Sequence, residues 1–179
     1  MTDAEPVDTL LRDLAYLQDE AEALQNVISA VPYDEAPPGG RSILEKIYAH
    51  HILQSKYYRP TMEKILFSAD RVEEVSADQF MNSRDIGLDD MTDVNDLLEN
   101  VEKQRSLLVT QLSNLDIKDW DRDGYVDNQT TTLYDLAAEL TARDRALMKE
   151  IAEMVMAYQN EQYSRRELNR KKSRQPGEG

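Results

Sequence analysis

Apolar residues recur at three- and four-residue spacing over four long segments, and this period constrains the fold more than any other feature. The predicted helices cover residues 7–30, a segment that begins at Ser42, residues 93–115, and a segment that begins at Thr131 or Thr132. Charged and amide side chains fill the opposite faces, as in amphipathic helices that share one core. The pattern predicts an all-α fold, a four-helix bundle.

Local signals refine these boundaries. Ser42 and Glu45 have the spacing of a capping box, which predicts a sharp start to the second helix. Pro60 is expected to kink or restart that helix, because proline lacks an amide hydrogen. Thr92 is the expected cap of the third helix. Residues 67–91 mix acids with isolated apolar residues, so we expect a long irregular connection there, with a short helix or an ordered loop.

Charge divides the chain into two parts. The net charge is −14, yet residues 164–179 contain six basic residues and two acidic ones. We therefore predict a bundle over residues 1–163 and a basic, flexible tail over residues 164–179. The strongly acidic remainder argues against nucleic acid as a partner, because phosphate contacts depend on Lys and Arg.

Other features of the composition narrow the functional classes. The chain contains no Cys, which excludes disulfides, thiolate nucleophiles and Cys-based metal sites. No stretch approaches the roughly 20 apolar residues that a membrane span needs, and the acidic N-terminus does not resemble a signal peptide. We expect a cytoplasmic protein without a membrane partner.

The two histidines of the chain, His50 and His51, are adjacent in the second predicted helix. His51 follows Ile47 by four residues and is expected to face the core, and His50 borders the same face. Considered alone, the pair is best explained by histidines at the edge of the core that hold hydrogen bonds.

Four short motifs, taken in order, resemble those of a known family. They are residues 47–52 (IYAHHI), 119–124 (DWDRDG), 132–136 (TLYDL) and 143–151 (RDRALMKEI). In order and spacing this series resembles the DinB-like (DinB/YfiT-type) superfamily over most of residues 5–158. The resemblance implies a four-helix bundle, often a homodimer, with a divalent metal held by three histidines in many members. Some members are thiol-dependent transferases or isomerases.

At the implied metal site, however, this chain departs from the family pattern. His51 or its neighbour His50 matches the first ligand, but the second and third positions hold Arg143 and Leu147, and only the adjacent Asp144 is retained. Neither guanidinium nor an aliphatic chain offers a lone pair to a metal. We therefore expect no cofactor. The alternative is a Zn²⁺ or Ni²⁺ site completed by substitute ligands such as Asp144 or Glu139.

A second candidate metal site is a partial match to a calcium-binding EF-hand loop over residues 119–130. Its first half has acids at alternate positions and Gly124 at the sixth. The five candidate ligands are Asp119, Asp121, Asp123, Tyr125 and Asp127. The twelfth position, which needs a bidentate Glu, is Thr130. A weak calcium-binding module is therefore only an alternative.

These observations lead to one functional expectation. The chain is expected to be a non-catalytic helical bundle that binds a ligand or a partner, and a homodimer. The former metal pocket would be lined by His50, His51, Tyr48, Arg143, Asp144 and Leu147. Arg143 would suit a small anionic ligand, because its planar fork pairs well with carboxylates. The enzymatic alternative is a metal-dependent transferase or hydrolase.

Overall fold

The computed structural model describes residues 1–88 and 92–174. The helices are α1 (Ala4–Gln25), α2 (Ile43–Ile52), α3 (Arg59–Phe67), α4 (Ala77–Asn82), α5 (Val94–Ser113) and α6 (Leu133–Arg174). Helix α1 packs against α5 and α6, and α2 packs against the same two helices. This arrangement confirms the predicted four-helix bundle, with α2 and α3 together forming one of its four members.

A single π-helical turn, Leu53–Tyr58, joins α2 to α3. The wider turn carries Leu53, Gln54, Tyr57 and Tyr58 into the interior. Pro60 lies in the first turn of α3, directly after the π-helical turn, and the backbone stays helical through both. The predicted break at this proline is thus a change of helical hydrogen-bond pattern just before it.

The helix starts follow the predicted chemistry, with one shift. The amide of Glu45 donates to Ser42 Oγ at 3.1 Å and the amide of Ser42 donates to Glu45 Oε2 at 2.6 Å, which completes the capping box. The cap of α5 is Asp93 rather than Thr92. The Asp93 carboxylate accepts from two amides of the first turn at 2.8 and 3.0 Å, and a carboxylate there also suits the positive helix end.

The other boundaries differ by a few residues. Helix α1 ends at Gln25, and the predicted continuation to Ala30 contains a separate 3₁₀ turn, Ile28–Ala30. Helix α6 begins at Leu133, where Thr132 and Asp135 exchange amide-to-side-chain hydrogen bonds at 2.9 and 3.1 Å. Residues 164–174 of the predicted tail are the last turns of α6. Residues 89–91 and 175–179 lie outside the described residues.

A small sheet, which the apolar period did not predict, covers one end of the bundle. Strand β1 (Glu73–Glu74) pairs in parallel with β2 (Asp123–Val126), and β2 pairs antiparallel with β3 (Gln129–Thr132). The fourth helix was expected to begin at Thr131 or Thr132, but residues 129–132 form a strand and the helix begins at Leu133. Asp127 and Asn128 form the hairpin turn with φ of 49° and 63°, a conformation that Asp and Asn tolerate.

The core forms two apolar clusters along the bundle axis. The first surrounds Leu14, Leu53, Leu108 and Leu140, and the second surrounds Leu17, Ile47, Val101 and Ile151. On each of the four bundle members, the chain passes from one cluster to the other within a few residues. The side chains between the clusters are polar, and they form the candidate site.

Candidate functional site

A buried ion pair lies at the centre of the bundle. Both oxygens of the Asp144 carboxylate on α6 accept from the Arg105 guanidinium on α5, one of them from Nη2 at 2.9 Å and the other from Nη1. His50 Nε2 on α2 donates to Asp144 Oδ1 at 2.7 Å. The exposed fractions are 0% for Arg105, 3% for Asp144 and 5% for His50. Charged side chains are rarely this buried unless they are paired.

The other donors of Arg105 are also satisfied. Its Nε donates to Gln54 Oε1 at 2.8 Å, and its Nη1 donates to the carbonyl oxygen of Leu14 at 2.9 Å. Gln54 Nε2 in turn donates to the carbonyl oxygen of Val101 at 3.4 Å. We call Gln54, His50, Arg105 and Asp144 the polar layer. Through it one guanidinium connects α1, the π-helical turn, α5 and α6.

Electrostatics fix the charge of this layer. Burial by itself raises the pKa of Asp144, but the hydrogen bonds from Arg105 and His50 outweigh it and leave the pKa below its usual range. Asp144 is therefore a carboxylate at neutral pH. Partial burial, followed by the negative charge of Asp144, raises the pKa of Glu20.

The two histidines occupy different environments. Ile43, Ile47, His50 and Gln54 follow one another at spacings of four, three and four residues along the buried side of α2. His51 lies off this line and is half-buried. The expectation that His51 is the more core-facing histidine is therefore wrong, and His50 is the interior one. Within the described residues, His51 Nδ1 is buried without a hydrogen-bond partner.

Arg143 points away from the polar layer, although it precedes Asp144 in the chain. Its guanidinium donates to Glu139 Oε1 from Nε at 3.2 Å and from Nη2 at 3.1 Å, and Nη2 also donates to Asp78 Oδ1 on α4 at 3.0 Å. Tyr58 Oη donates to the same Glu139 oxygen at 2.7 Å. We call Tyr58, Asp78, Glu139 and Arg143 the outer cluster. Burial and this hydrogen bond raise the pKa of Tyr58.

The predicted pocket residues are thus divided between two places. His50 and Asp144 meet inside the bundle, and Arg143 lies in the outer cluster. Tyr48 and Leu147 are partly buried and pack against the second apolar cluster. The structure does not bring all six predicted side chains together.

The donors present do not fit the three-histidine metal centre that the resemblance implies. His50 uses Nε2 as a hydrogen-bond donor to Asp144, Arg143 is held by two carboxylates, and Leu147 has no donor atom. Among residues 1–88 and 92–174, no group of three or more His, Asp or Glu side chains is arranged to hold a metal ion.

The candidate calcium ligands are dispersed as well. Asp119 and Asp121 lie in a 3₁₀ turn, Asp123 and Tyr125 lie in β2, and Asp127 lies in the hairpin turn. Asp119 pairs with Arg122 at 3.0 Å, and Asp127 Oδ1 accepts from the amide of Ser76 at 3.1 Å. Hydrogen bonds from Thr2 lower the pKa of Asp121. This hairpin geometry differs from a calcium loop followed by an exit helix.

Sequence reasoning missed Arg105 and Gln54, the two residues that complete the polar layer. A signal for Arg105 was present, because it falls between Val101 and Leu108 at four- and three-residue spacing on the apolar side of α5. A charged residue at such a position needs a buried partner. Gln54 gave a similar signal, because it follows Ile47 by seven residues and His50 by four on the buried side of the second helix.

The fold is similar to a known structure. YfiT from Bacillus subtilis, described as a probable metal-dependent hydrolase with an unusual four-helix bundle topology, superposes with a TM-score of 0.70 at 12% sequence identity. The match covers 88% of this chain and 90% of YfiT. No protein-family model and no curated protein gave a significant match to the sequence. The chain therefore has the YfiT-like, DinB-type bundle fold.

Within residues 1–88 and 92–174, no helix combines the length and the apolar character that crossing a membrane requires.

Proposed function

We propose that this chain is a non-catalytic binding protein built on the YfiT-like bundle, with a buried ion pair and no metal at its centre. The observation that carries the proposal is the ion pair of Arg105 and Asp144. Arg105 is fully buried and Asp144 nearly so, and the pair joins α5 to α6 inside the bundle.

The charge of Arg105 disfavours a metal at this position. A guanidinium keeps its proton throughout the accessible pH range, so a divalent cation beside it would meet a like charge in a medium of low dielectric constant. Asp144 could serve as a ligand only after giving up hydrogen bonds from Arg105 and His50. Breaking a buried pair by removing one partner costs about 3–5 kcal/mol.

The polar layer also lacks a group that is free for acid–base or nucleophilic chemistry. Asp144 is ionised and saturated with donors, and the His50 Nε2 proton is already engaged. A general base must reach the proton that it removes, and both groups are shut away from solvent. These properties support a binding role rather than catalysis within the layer.

The outer cluster is the proposed binding site for a small anionic ligand. Arg143 has an exposed fraction of 29%, and one of its two carboxylate partners, Asp78, is 76% exposed. A carboxylate ligand can replace Asp78 without disturbing the buried layer, because exposed ion pairs are worth little. In a panel of small carboxylates and phosphates, a ligand-induced rise in melting temperature should disappear in Arg143→Ala. A rise that persists would contradict this site.

One observation favours the metal-dependent alternative. Burial, followed by the nearby charges of Lys56 and His50, lowers the pKa of His51, which leaves its imidazole neutral at pH 7. Its Nδ1 has no hydrogen-bond partner among the described residues. A neutral imidazole is a good ligand for Zn²⁺ or Ni²⁺, but one histidine is too few.

Elemental analysis of protein purified without a His tag tests the proposal. We expect far less than one transition metal per chain, and no calorimetric binding of added Zn²⁺ or Ni²⁺. The double variant Arg143→His and Leu147→His restores the ligand types that the resemblance implies and should gain metal, which provides a positive control. A stoichiometric metal in the unmodified chain that is lost in His51→Ala would contradict the proposal.

A further inference from the structure

Helix α6 continues well beyond the bundle. It has 42 residues, against 22 in α1 and 20 in α5, which corresponds to about 63 Å at 1.5 Å per residue. Its last side chain packed against the core is Tyr158, which also donates to the carbonyl oxygen of Glu35 at 3.3 Å. We call residues 159–174 the extension. Its side chains up to residue 173 are exposed, apart from the partly exposed Glu167.

The extension and the rest of the chain carry opposite charge. The extension holds six basic and two acidic residues, a net +4, so the remainder carries −18. Helix α1 is strongly acidic, with six acids and one base. The first turns of the extension border residues 29–32 and Glu35 across a cleft. Its side chains stay largely exposed there, and its positive charge makes an acidic surface the natural cover.

One face of α6 links the extension to a groove on the bundle. At 100° per residue, Tyr134, Ala138 and Arg145 lie on the same side of the helix as Met156 and Tyr163. The last two side chains are 60% and 68% exposed. The shared face matters because a two-fold axis brings identical surface patches into contact.

The groove lies between α1 and α6, with a volume of about 450 Å³. Its apolar wall includes Pro6, Leu10, Tyr134 and Ala138. Acidic residues of α1 also line it, namely Glu5 and Asp13, the latter paired with Arg145. An apolar wall with carboxylates beside it suits an amphipathic helix that carries basic residues.

We propose that two copies of this chain associate through α6, with the extension of each copy lying antiparallel in the α1–α6 groove of the other. A two-fold axis that crosses α6 near Ala152 places residues 159–170 of one copy beside residues 134–145 of the other. Met156 and Tyr163 then become buried. Arg166 and Arg170 approach the acidic side of α1.

The charge distribution favours a second copy over a nucleic acid or an anionic membrane. A polyanion attracted to the extension would be repelled by the −18 of the remaining chain. A second copy presents both a basic extension and an acidic groove, so each end of the interface is complementary to the other.

The first test measures mass in solution by sedimentation equilibrium, with Tyr163→Glu compared with Leu168→Glu. Both variants add the same charge to the extension. Leu168 is 59% exposed and lies about 140° round the helix from Tyr163, outside the proposed interface. We expect the unmodified chain to be dimeric, with Tyr163→Glu raising the dissociation constant about tenfold, which corresponds to about 1.4 kcal/mol and is a moderate cost for losing a buried interface aromatic. Leu168→Glu should stay close to the unmodified chain.

The absence of Cys from the sequence allows a second, geometric test. A single cysteine at Ala152→Cys lies near the proposed axis and should form an intermolecular disulfide on mild oxidation. The exposed Ala157→Cys, about 140° away on the helix, should not. Circular dichroism of all variants should match that of the unmodified chain, which shows that a lost dimer or cross-link does not result from unfolding.

Three results would overturn the proposal. They are a monomer at high protein concentration, equal loss of the dimer in both glutamate variants, and equal cross-linking of both cysteine variants. Binding of duplex DNA or anionic vesicles by a monomeric chain would assign the extension to that partner instead. None of these outcomes depends on metal content, so failure here is distinguishable from failure of the proposed function.

Discussion

Two arginines of this bundle are each held by carboxylates, yet they do different things because of where they lie. Arg105 in the polar layer is 0% exposed, while Arg143 in the outer cluster is 29% exposed. In the interior, removing one partner leaves an uncompensated charge away from water. At the surface, water replaces the lost partner and the net value of the pair is small. The same chemistry is therefore expected to stabilise the fold in one place and to contribute little in the other.

The same difference in burial separates the roles of residues that are adjacent in the sequence. Asp144 and Arg143 are adjacent on α6, and His50 and His51 are adjacent on α2, but each pair straddles the boundary between interior and surface. One member of each pair faces the polar layer. The other is partly exposed, with Arg143 at 29% and His51 half-buried.

The largest expected effect is that of Arg105→Met. It leaves Asp144 buried with only His50 as a partner, so the free energy of unfolding should fall by about 3–5 kcal/mol. Denaturant titration followed by circular dichroism measures this. The double variant Arg105→Met and Asp144→Leu should cost less than the two single variants added together, because it leaves neither charge unpaired. Additive costs would mean that the two residues do not act as a pair.

A smaller loss is expected from Gln54→Leu. The substitution removes the acceptor at 2.8 Å from Arg105 Nε and leaves that donor buried and unsatisfied, which should cost about 1–3 kcal/mol. Gln104→Leu is the matched control, since Gln104 accepts from Arg59 at 3.1 Å in a partly exposed position. If both variants lose the same stability, burial is not what distinguishes the polar layer.

The sequence predicted the helices and their order because these depend on a repeating apolar period and on local caps such as Ser42 with Glu45. It predicted that His50 and Asp144 belong to one site only through a resemblance, and it placed Arg143 with them incorrectly. The period of α6 already separates these two residues, because Asp144 follows Leu140 by four residues and Arg143 lies about 100° away on the helix. The π-helical turn at Leu53–Tyr58 is what an ideal period cannot register, and it changes the inward side only for the residues that follow it.

The sheet was missed for a related reason. Its strands have two to four residues each, too few for an alternating pattern to stand out. Pairing between Glu73–Glu74 and β2 joins segments about fifty residues apart, and such contacts leave no local mark. The threonines of β3 favour a strand, but beside a helix cap they also suit a loop.

Arg143→Ala tests the partly exposed arginine of the comparison. Its ion pairs with Glu139 and Asp78 are partly exposed, so the free energy of unfolding should fall by no more than about 1 kcal/mol. Glu139 keeps its hydrogen bond from Tyr58 in this variant, which further limits the loss of stability. Thermal and denaturant unfolding under the conditions used for Arg105→Met give the ratio of the two losses in unfolding free energy. A loss as large as that of Arg105→Met would show that the outer cluster is also structural.

The smallest expected effect is a pH dependence from His51. Burial, followed by the charges of Lys56 and His50, lowers the pKa of His51 in the folded state, whereas in the unfolded chain the pKa is about 6.5. Between these two values the unfolded state binds more protons, so stability increases with pH and the contribution is fully present above about 6.5. As pH falls below that point the contribution is lost. The difference in unfolding free energy between pH 7.5 and pH 5 should therefore be smaller in His51→Asn than in the unmodified chain. An unchanged difference would mean that the titrating group lies elsewhere, and the contrast between the paired inner histidine and its unpaired neighbour would lose its thermodynamic basis.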